Sequence, residues 1–217
     1  LTIVYGTDRR ARAEIRRLNQ LHRSVVGPVH DQAAARLLGD SYAARDPELS
    51  LWVHATLVDS TLVAQERWIG PIGAARRAAF YEETRPIGRA FGVPQSLLPA
   101  DIDAFDAYLA RMTGRDGPIR VGALARELAR TILRPPLGPL HPALAGIPPA
   151  LYAWTLWPAI ELLPEPIRIG YDLPWGLRQR VVSAWLTRAW RAWRPILPVA
   201  MRTMPLALAA DARLADR

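Results

Sequence analysis

The segment Asp46-Pro47-Glu48-Leu49-Ser50-Leu51-Trp52-Val53-His54-Ala55-Thr56-Leu57-Val58-Asp59-Ser60 contains the clearest helix start in the chain. Asp46 is a good N-cap, because its carboxylate can accept from the free amides of the first turn. Pro47 suits the first helical position, where no amide hydrogen is needed. Glu48 sits favourably at the positive end of the helix dipole. The helix is predicted to run to about Trp68, before Gly70-Pro71. At 100° per residue, Leu51, Leu57 and Val58 flank His54 on one face.

The same punctuation organises the rest of the chain. Upstream, a helix is predicted from Asp8, as its cap, to about Val26, with Ala11, Ile15, Leu18, His22 and Val25 on one stripe. Gly27-Pro28 stops it, and a loop follows to Arg45 with a helical turn near Gln32–Leu38. Downstream, helices are predicted over 73–91 with a kink at Pro86, 101–112, 119–133, 149–157, 173–193 and 199–215. Strand signals are nearly missing: no sustained apolar–polar alternation occurs, and no Asn-Gly or Asp-Gly hairpin. The fold class expected is all-α, one domain of about eight helices over residues 1–217.

Composition narrows the chemistry. The 217 residues are half hydrophobic and include eight Trp, which fits a packed core and not a disordered chain. There is no Cys, hence no disulfide framework, thiolate zinc site, iron–sulfur cluster or Cys nucleophile. There is no Lys either, hence no Schiff base and no Walker lysine. The net charge of +8 and pI near 10.8 hint at an anionic partner. The Arg residues are scattered, however, and no basic arm or nucleic-acid motif accompanies them, so no nucleic-acid partner is expected. The start of the chain lacks the charged and apolar regions of a signal peptide. The most apolar stretch, 135–160, holds seven prolines (135, 136, 139, 142, 148, 149 and 158) and reads as an ordered wrap over the core, not a membrane span. A peripheral membrane contact along that rim stays open, and the expected location is the cytoplasm.

Four histidines remain as chemical candidates: 22, 30, 54 and 141. His30 and His141 read as loop residues. His22 and His54 lie on helices among apolar neighbours, where an unpaired polar group costs about 1–3 kcal/mol. Spacing alone favours a satisfied core histidine. The alternative is a neutral imidazole projecting into an apolar pocket, which is what an axial haem ligand requires. No His-Glu-x-x-His, Glu-x-x-His, Gly-x-Ser-x-Gly or glycine-rich phosphate loop occurs. Asp59 falls about 140° round the helix from His54 and does not form a dyad with it.

The 46–60 segment resembles the signature of the bacterial MpaB-type oxygenases. These share a catalytic domain with the latex-clearing proteins (rubber oxygenases) and with the fungal mycophenolate-pathway oxygenase. Arg16-Arg17-Leu18-Asn19-Gln20-Leu21-His22-Arg23-Ser24-Val25-Val26-Gly27 is similar to the first block of that family. Glu66-Arg67-Trp68-Ile69-Gly70-Pro71, Phe91-Gly92-Val93-Pro94 and Tyr171-Asp172-Leu173-Pro174-Trp175 match it in order and spacing. The likeness covers about residues 8–195.

The resemblance implies a globin-like helical domain with a pocket for one haem b, its iron held by His54. It implies O2-dependent cleavage or oxygenation of a small apolar substrate, with isoprenoid alkenes the form that characterised relatives cleave. The absence of Cys fits a His-ligated and not a thiolate-ligated haem. Rubber oxygenases can place a Lys on the distal side, and this chain has none. Arg23 and His22 lie in the corresponding block: Arg23 could donate to bound O2 or a propionate, and His22 could ligate or hydrogen-bond there. Thr56, Asp59 and Arg67 are candidates for holding the cofactor or the His54 ring. Family members commonly carry a further helical segment upstream, and such a segment outside these residues belongs to the expectation. The alternative function is a non-enzymatic haem or apolar-ligand carrier on the same fold.

Overall fold

A computed structural model describes residues 2–133 and 149–215, with side chains other than those at 33, 37, 38 and 149–153. The proline-rich residues 134–148, His141 among them, lie outside the described residues. The described residues form twelve helices and one short antiparallel ribbon. The helices are α1 (Thr2–Tyr5), α2 (Asp8–Ser24), α3 (Gln32–Leu38), α4 (Pro47–Trp68), α5 (Ala74–Ala90), α6 (Ile102–Thr113), α7 (Ala123–Leu133), α8 (Pro149–Glu161), α9 (Glu165–Gly170), α10 (Leu177–Trp193), α11 (Val199–Arg202) and α12 (Pro205–Ala215).

The excess over the expected eight comes from short pieces. α1 and α9 are four and six residues long, too short for a periodic stripe to announce them, and the turn expected near Gln32–Leu38 forms the seven-residue α3. The expected last helix divides into α11 and α12, with Pro205 opening the second. The helix expected from Leu173 begins only at Leu177.

The ribbon was not anticipated. Val26–Pro28 pairs with Ser41–Ala43, Gly27 opposite Tyr42. Each strand has three residues, too few for alternation to show, and a Cβ on Gly27 would stand 3.1 Å from the Tyr42 ring. The N-cap of α2 also differs from expectation. Thr7 takes that place, its hydroxyl accepting from the Arg10 amide at 3.4 Å, while Asp8 lies in the first turn and pairs with Arg12. The cap of α4 is as expected: Asp46 Oδ1 accepts from the amides of Glu48 at 2.8 Å and Leu49 at 3.2 Å.

Backbone contacts group the chain into two compact units. The first comprises Leu1–Asp59, Gly73–Ile102 and Ala192–Arg217. In it α1 packs on α2 and α12, and Arg213 Nη2 donates to the Tyr5 carbonyl at 2.5 Å. Its core takes Leu51, Ala55 and Val58 from α4, Tyr81 from α5, and Val93 and Leu98 from the loop after α5. The second comprises Ser60–Ile72 and Asp103–Arg191, with Leu62, Phe105, Tyr108, Trp157 and Ile160 buried.

On α4 the buried residues Leu51, Ala55, Val58 and Leu62 centre about 70° round from His54, which therefore lies at the edge of the buried stripe. The expectation that Leu57 shares this face is corrected: Leu57 falls on the opposite flank of His54 and is exposed.

Candidate functional site

His54 is buried, and its Nε2 has no hydrogen-bond partner among the described residues. Burial lowers the imidazole pKa, since charging the ring without water is unfavourable. The ring is thus a neutral base with an uncommitted nitrogen. An unsatisfied buried polar atom of this kind costs about 1–3 kcal/mol and calls for a physical reason.

Across from the ring is Gly88, buried in the last turn of α5. A Cβ at Gly88 would stand 3.1 Å from His54 Cδ2, 3.2 Å from Nε2 and 3.2 Å from Leu98 Cδ2. Any larger residue would press on the free nitrogen. The missing side chain is what lets α5 pack this closely on that side of the imidazole.

The wall holding Gly88 is fixed by the Phe91-Gly92-Val93-Pro94 segment. The Val93 amide donates to the Gly88 carbonyl at 3.1 Å and the Gly92 amide to that of Arg89 at 3.0 Å. This is a Schellman ending, with Gly92 at φ 88°, a left-handed conformation that favours glycine. It turns Val93 into the core, and the next turn brings Leu98 against the Gly88–His54 contact. Tyr81, two turns before Gly88 on the same face of α5, donates its hydroxyl to the Pro99 carbonyl at 2.7 Å. Burial pushes the Tyr81 phenol up to about 12. Asn19 of α2 donates to the Ala90 carbonyl at 2.9 Å, docking α2 on the same end of α5.

The sequence-predicted residues are distributed unevenly around this centre. His22 is half-buried and Arg23 exposed in the last turn of α2, one turn beyond Asn19. Thr56 spends its hydroxyl on the Val53 carbonyl at 2.9 Å. Asp59 is half-buried, about 140° round the helix from His54. Arg67 is thirteen residues further along α4, about 20 Å at 1.5 Å per residue. It is not brought to the His54 ring.

Arg67 has a different partner. Its Nη2 pairs with Glu161 Oε2 at 2.5 Å, and the same oxygen accepts from Ser183 Oγ, also at 2.5 Å. Arg191 of α10 donates to the Glu66 carbonyl. This second polar centre ties α4, α8 and α10 together. Glu161 and Ser183 carried no sequence signal, because they meet only through tertiary packing. Gly88 did leave a trace: a glycine inside a helix, two residues after Pro86, needs a packing reason.

Among the described residues no three His, Asp or Glu side chains gather to hold a bare ion. His54 offers one imidazole. A single neutral nitrogen is the donor that a metal arriving with its own macrocycle would use. A separate apolar cavity of about 480 Å³ lies in the second unit, between α7 and α8, with Leu128, Ile132, Leu156, Ile160 and Leu173 on its walls. None of the predicted site residues lines it. No helix among the described residues is long and apolar enough to cross a membrane.

The described residues are mostly helical and bury an unpaired helix histidine against a glycine. Residues 1–194 match the family described as ER-bound oxygenase mpaB/B′/Rubber oxygenase, catalytic domain, and the chain belongs to that family. It is similar to an uncharacterised protein of Mycobacterium tuberculosis (strain ATCC 25618 / H37Rv), 30% identical over 179 residues, covering 82% of this chain and 67% of the relative. An uncharacterised protein of Mycobacterium bovis matches with the same figures. No solved structure matches the chain significantly. The family is one of oxygenases, which supports an oxidoreductase function in general terms.

Proposed function

We propose that the protein is a haem b-dependent oxygenase acting with O2 on a small apolar substrate, an isoprenoid alkene being the form to test first. The observation that carries this reading is the buried, unpaired Nε2 of His54 facing Gly88. Family membership supports the oxygenase class. When bound, haem supplies the O2 chemistry.

The chain's own residues have plain tasks in this reading. His54 would offer its nitrogen to the haem iron, and burial favours the neutral ring that this needs. Gly88 lets α5 pack beside that nitrogen, and Leu98 closes the same contact. His22 and Arg23, on the helix that Asn19 docks beside Gly88, are the proposed polar groups toward O2 or a propionate. Arg67 does not hold the His54 ring, and its guanidinium is engaged by Glu161. Thr56 and Asp59 remain proposed supports of α4 near the ligand. The proposed setting is a globin-like haem domain in a bacterial cytoplasm, with no nucleic-acid partner.

The test is an absorption spectrum of the full chain supplied with haem. A Soret band that His54→Ala abolishes is expected, together with O2 uptake on isoprenoid alkenes. A protein that stays colourless in the presence of haem would end this reading. Haem retention without O2-dependent product would turn it into the carrier.

A further inference from the structure

Helix α10 is turned inside out. Its buried positions are polar, Ser183 and Thr187. Its solvent face carries Leu177, Val181 and Trp185 at successive turns, exposed by 79%, 57% and 65%. At 100° per residue this stripe lies about 100–180° round from the middle of the buried pair, and its exposure leaves it outside the packed face of the helix. Exposed Arg178 and Arg188 flank the stripe. The Arg178 guanidinium is held over the rings of Trp154 and Trp157, at 5.3 and 5.7 Å from their centroids.

The charge around the stripe is one-sided. Along Leu177–Trp193 the helix itself holds Arg178, Arg180, Arg188 and Arg191, and no Asp or Glu. A second copy of this face is therefore a poor partner, because a self-complementary contact would set Arg against Arg. Nucleic acid is a poor one too, because its surface offers no apolar counterpart for Leu177 and Val181. An anionic lipid surface meets both halves of the pattern. Aliphatic side chains and Trp enter the headgroup boundary, and Arg heads reach the phosphates.

We propose that the Leu177–Val181–Trp185 face of α10 docks the protein on the surface of an anionic phospholipid membrane. The sequence had pointed to the proline-rich rim at 135–160 for such contact, and α10 is a different surface. The inference is independent of haem, so it stands or falls separately from the oxygenase reading.

The experiment is flotation of the full chain with vesicles of phosphatidylcholine alone and of phosphatidylcholine with 30% phosphatidylglycerol, at low and physiological salt. Binding to the anionic vesicles, weakened by salt and accompanied by a blue shift of Trp emission, is expected. The exposed triple change Leu177→Ser, Val181→Ser, Trp185→Ser should lower partitioning at least tenfold with circular dichroism and thermal midpoint unchanged. Arg178→Gln with Arg188→Gln should lower it about fivefold per charge on anionic vesicles only. Absence of binding, equal binding of the triple variant, or a dimer in sedimentation that the triple variant dissolves would each overturn the proposal.

Discussion

Helix α4 carries two polar centres that are treated in opposite ways. Toward its middle, His54 keeps a buried nitrogen without a partner. At its end, Arg67 meets Glu161, and Ser183 adds a second hydrogen bond to the same oxygen. The Arg67–Glu161 centre is partnered through Arg67 Nη2 and joins helices, although Arg67 Nε stays buried without a partner. An unpaired neutral base has no such task, and the fold bears its cost of about 1–3 kcal/mol where a ligand can relieve it. The difference separates a structural centre from a binding one, and it can be tested from both ends.

The largest effect should come from His54→Ala. Haem binding should vanish from the Soret titration, while the urea midpoint of the haem-free protein should barely move. Removing an unsatisfied nitrogen offsets part of the cavity the change leaves. A large loss of stability would show instead that His54 is a core residue like any other. Glu161→Ala should do the reverse. It strands Arg67 and Ser183, costing about 1–3 kcal/mol after allowance for the roughly one-third exposure of the ion pair, with haem affinity unchanged. If Glu161→Ala released haem, the two centres would not be separable.

Gly88→Ala sharpens the comparison at the His54 end. Alanine is the better helix former by about 1 kcal/mol, so helix propensity alone predicts a small gain in stability. Crowding of Nε2 predicts at least a tenfold loss of haem affinity, partly restored when Leu98→Ala gives the ring room to shift. Unchanged affinity in Gly88→Ala would remove Gly88 from the site.

The smallest effects are in pH dependence. Burial lowers the His54 pKa in the folded state, so the unfolded chain takes up the proton first. Stability of the haem-free protein should fall as pH drops below about 6.5, and His54→Ala should flatten that slope. Tyr81 acts in the other direction. Its phenol, pushed up to about 12, stays protonated while the unfolded phenol ionises, so stability should fall as pH rises above about 10. Tyr81→Phe should remove that alkaline slope, at the loss of the bond to Pro99. Denaturant midpoints across pH measure both.

Much of this was legible in the residues. The Asp46-Pro47-Glu48 start placed α4 to within a residue, because capping is local chemistry. His54 stood out because an imidazole among apolar neighbours must be accounted for. Leu57 was misplaced because one histidine does not say on which flank the buried stripe continues. Tertiary packing settled that in favour of Leu51 and Val58. The role of Gly88 was hidden for a simple reason: a missing side chain has meaning only when its neighbour in space is known. Glu161 and Ser183 were invisible in the same way, being 22 residues apart and joined only by packing. The inverted face of α10 was masked by its length and by Arg residues that suggested an ordinary solvated helix.

The turn that ends α5 also bears on the order of assembly. Its contacts are short in sequence: Val93 to Gly88, and Tyr81 to Pro99 over 18 residues. Close contacts of this kind carry little loop-closure entropy and tend to form early in folding. His54 must then be brought in from another helix, 34 positions before Gly88. The wall opposite the imidazole is expected to form before the imidazole reaches it. Pulsed hydrogen exchange during refolding should therefore protect the amides of Gly92 and Val93 ahead of those around His54.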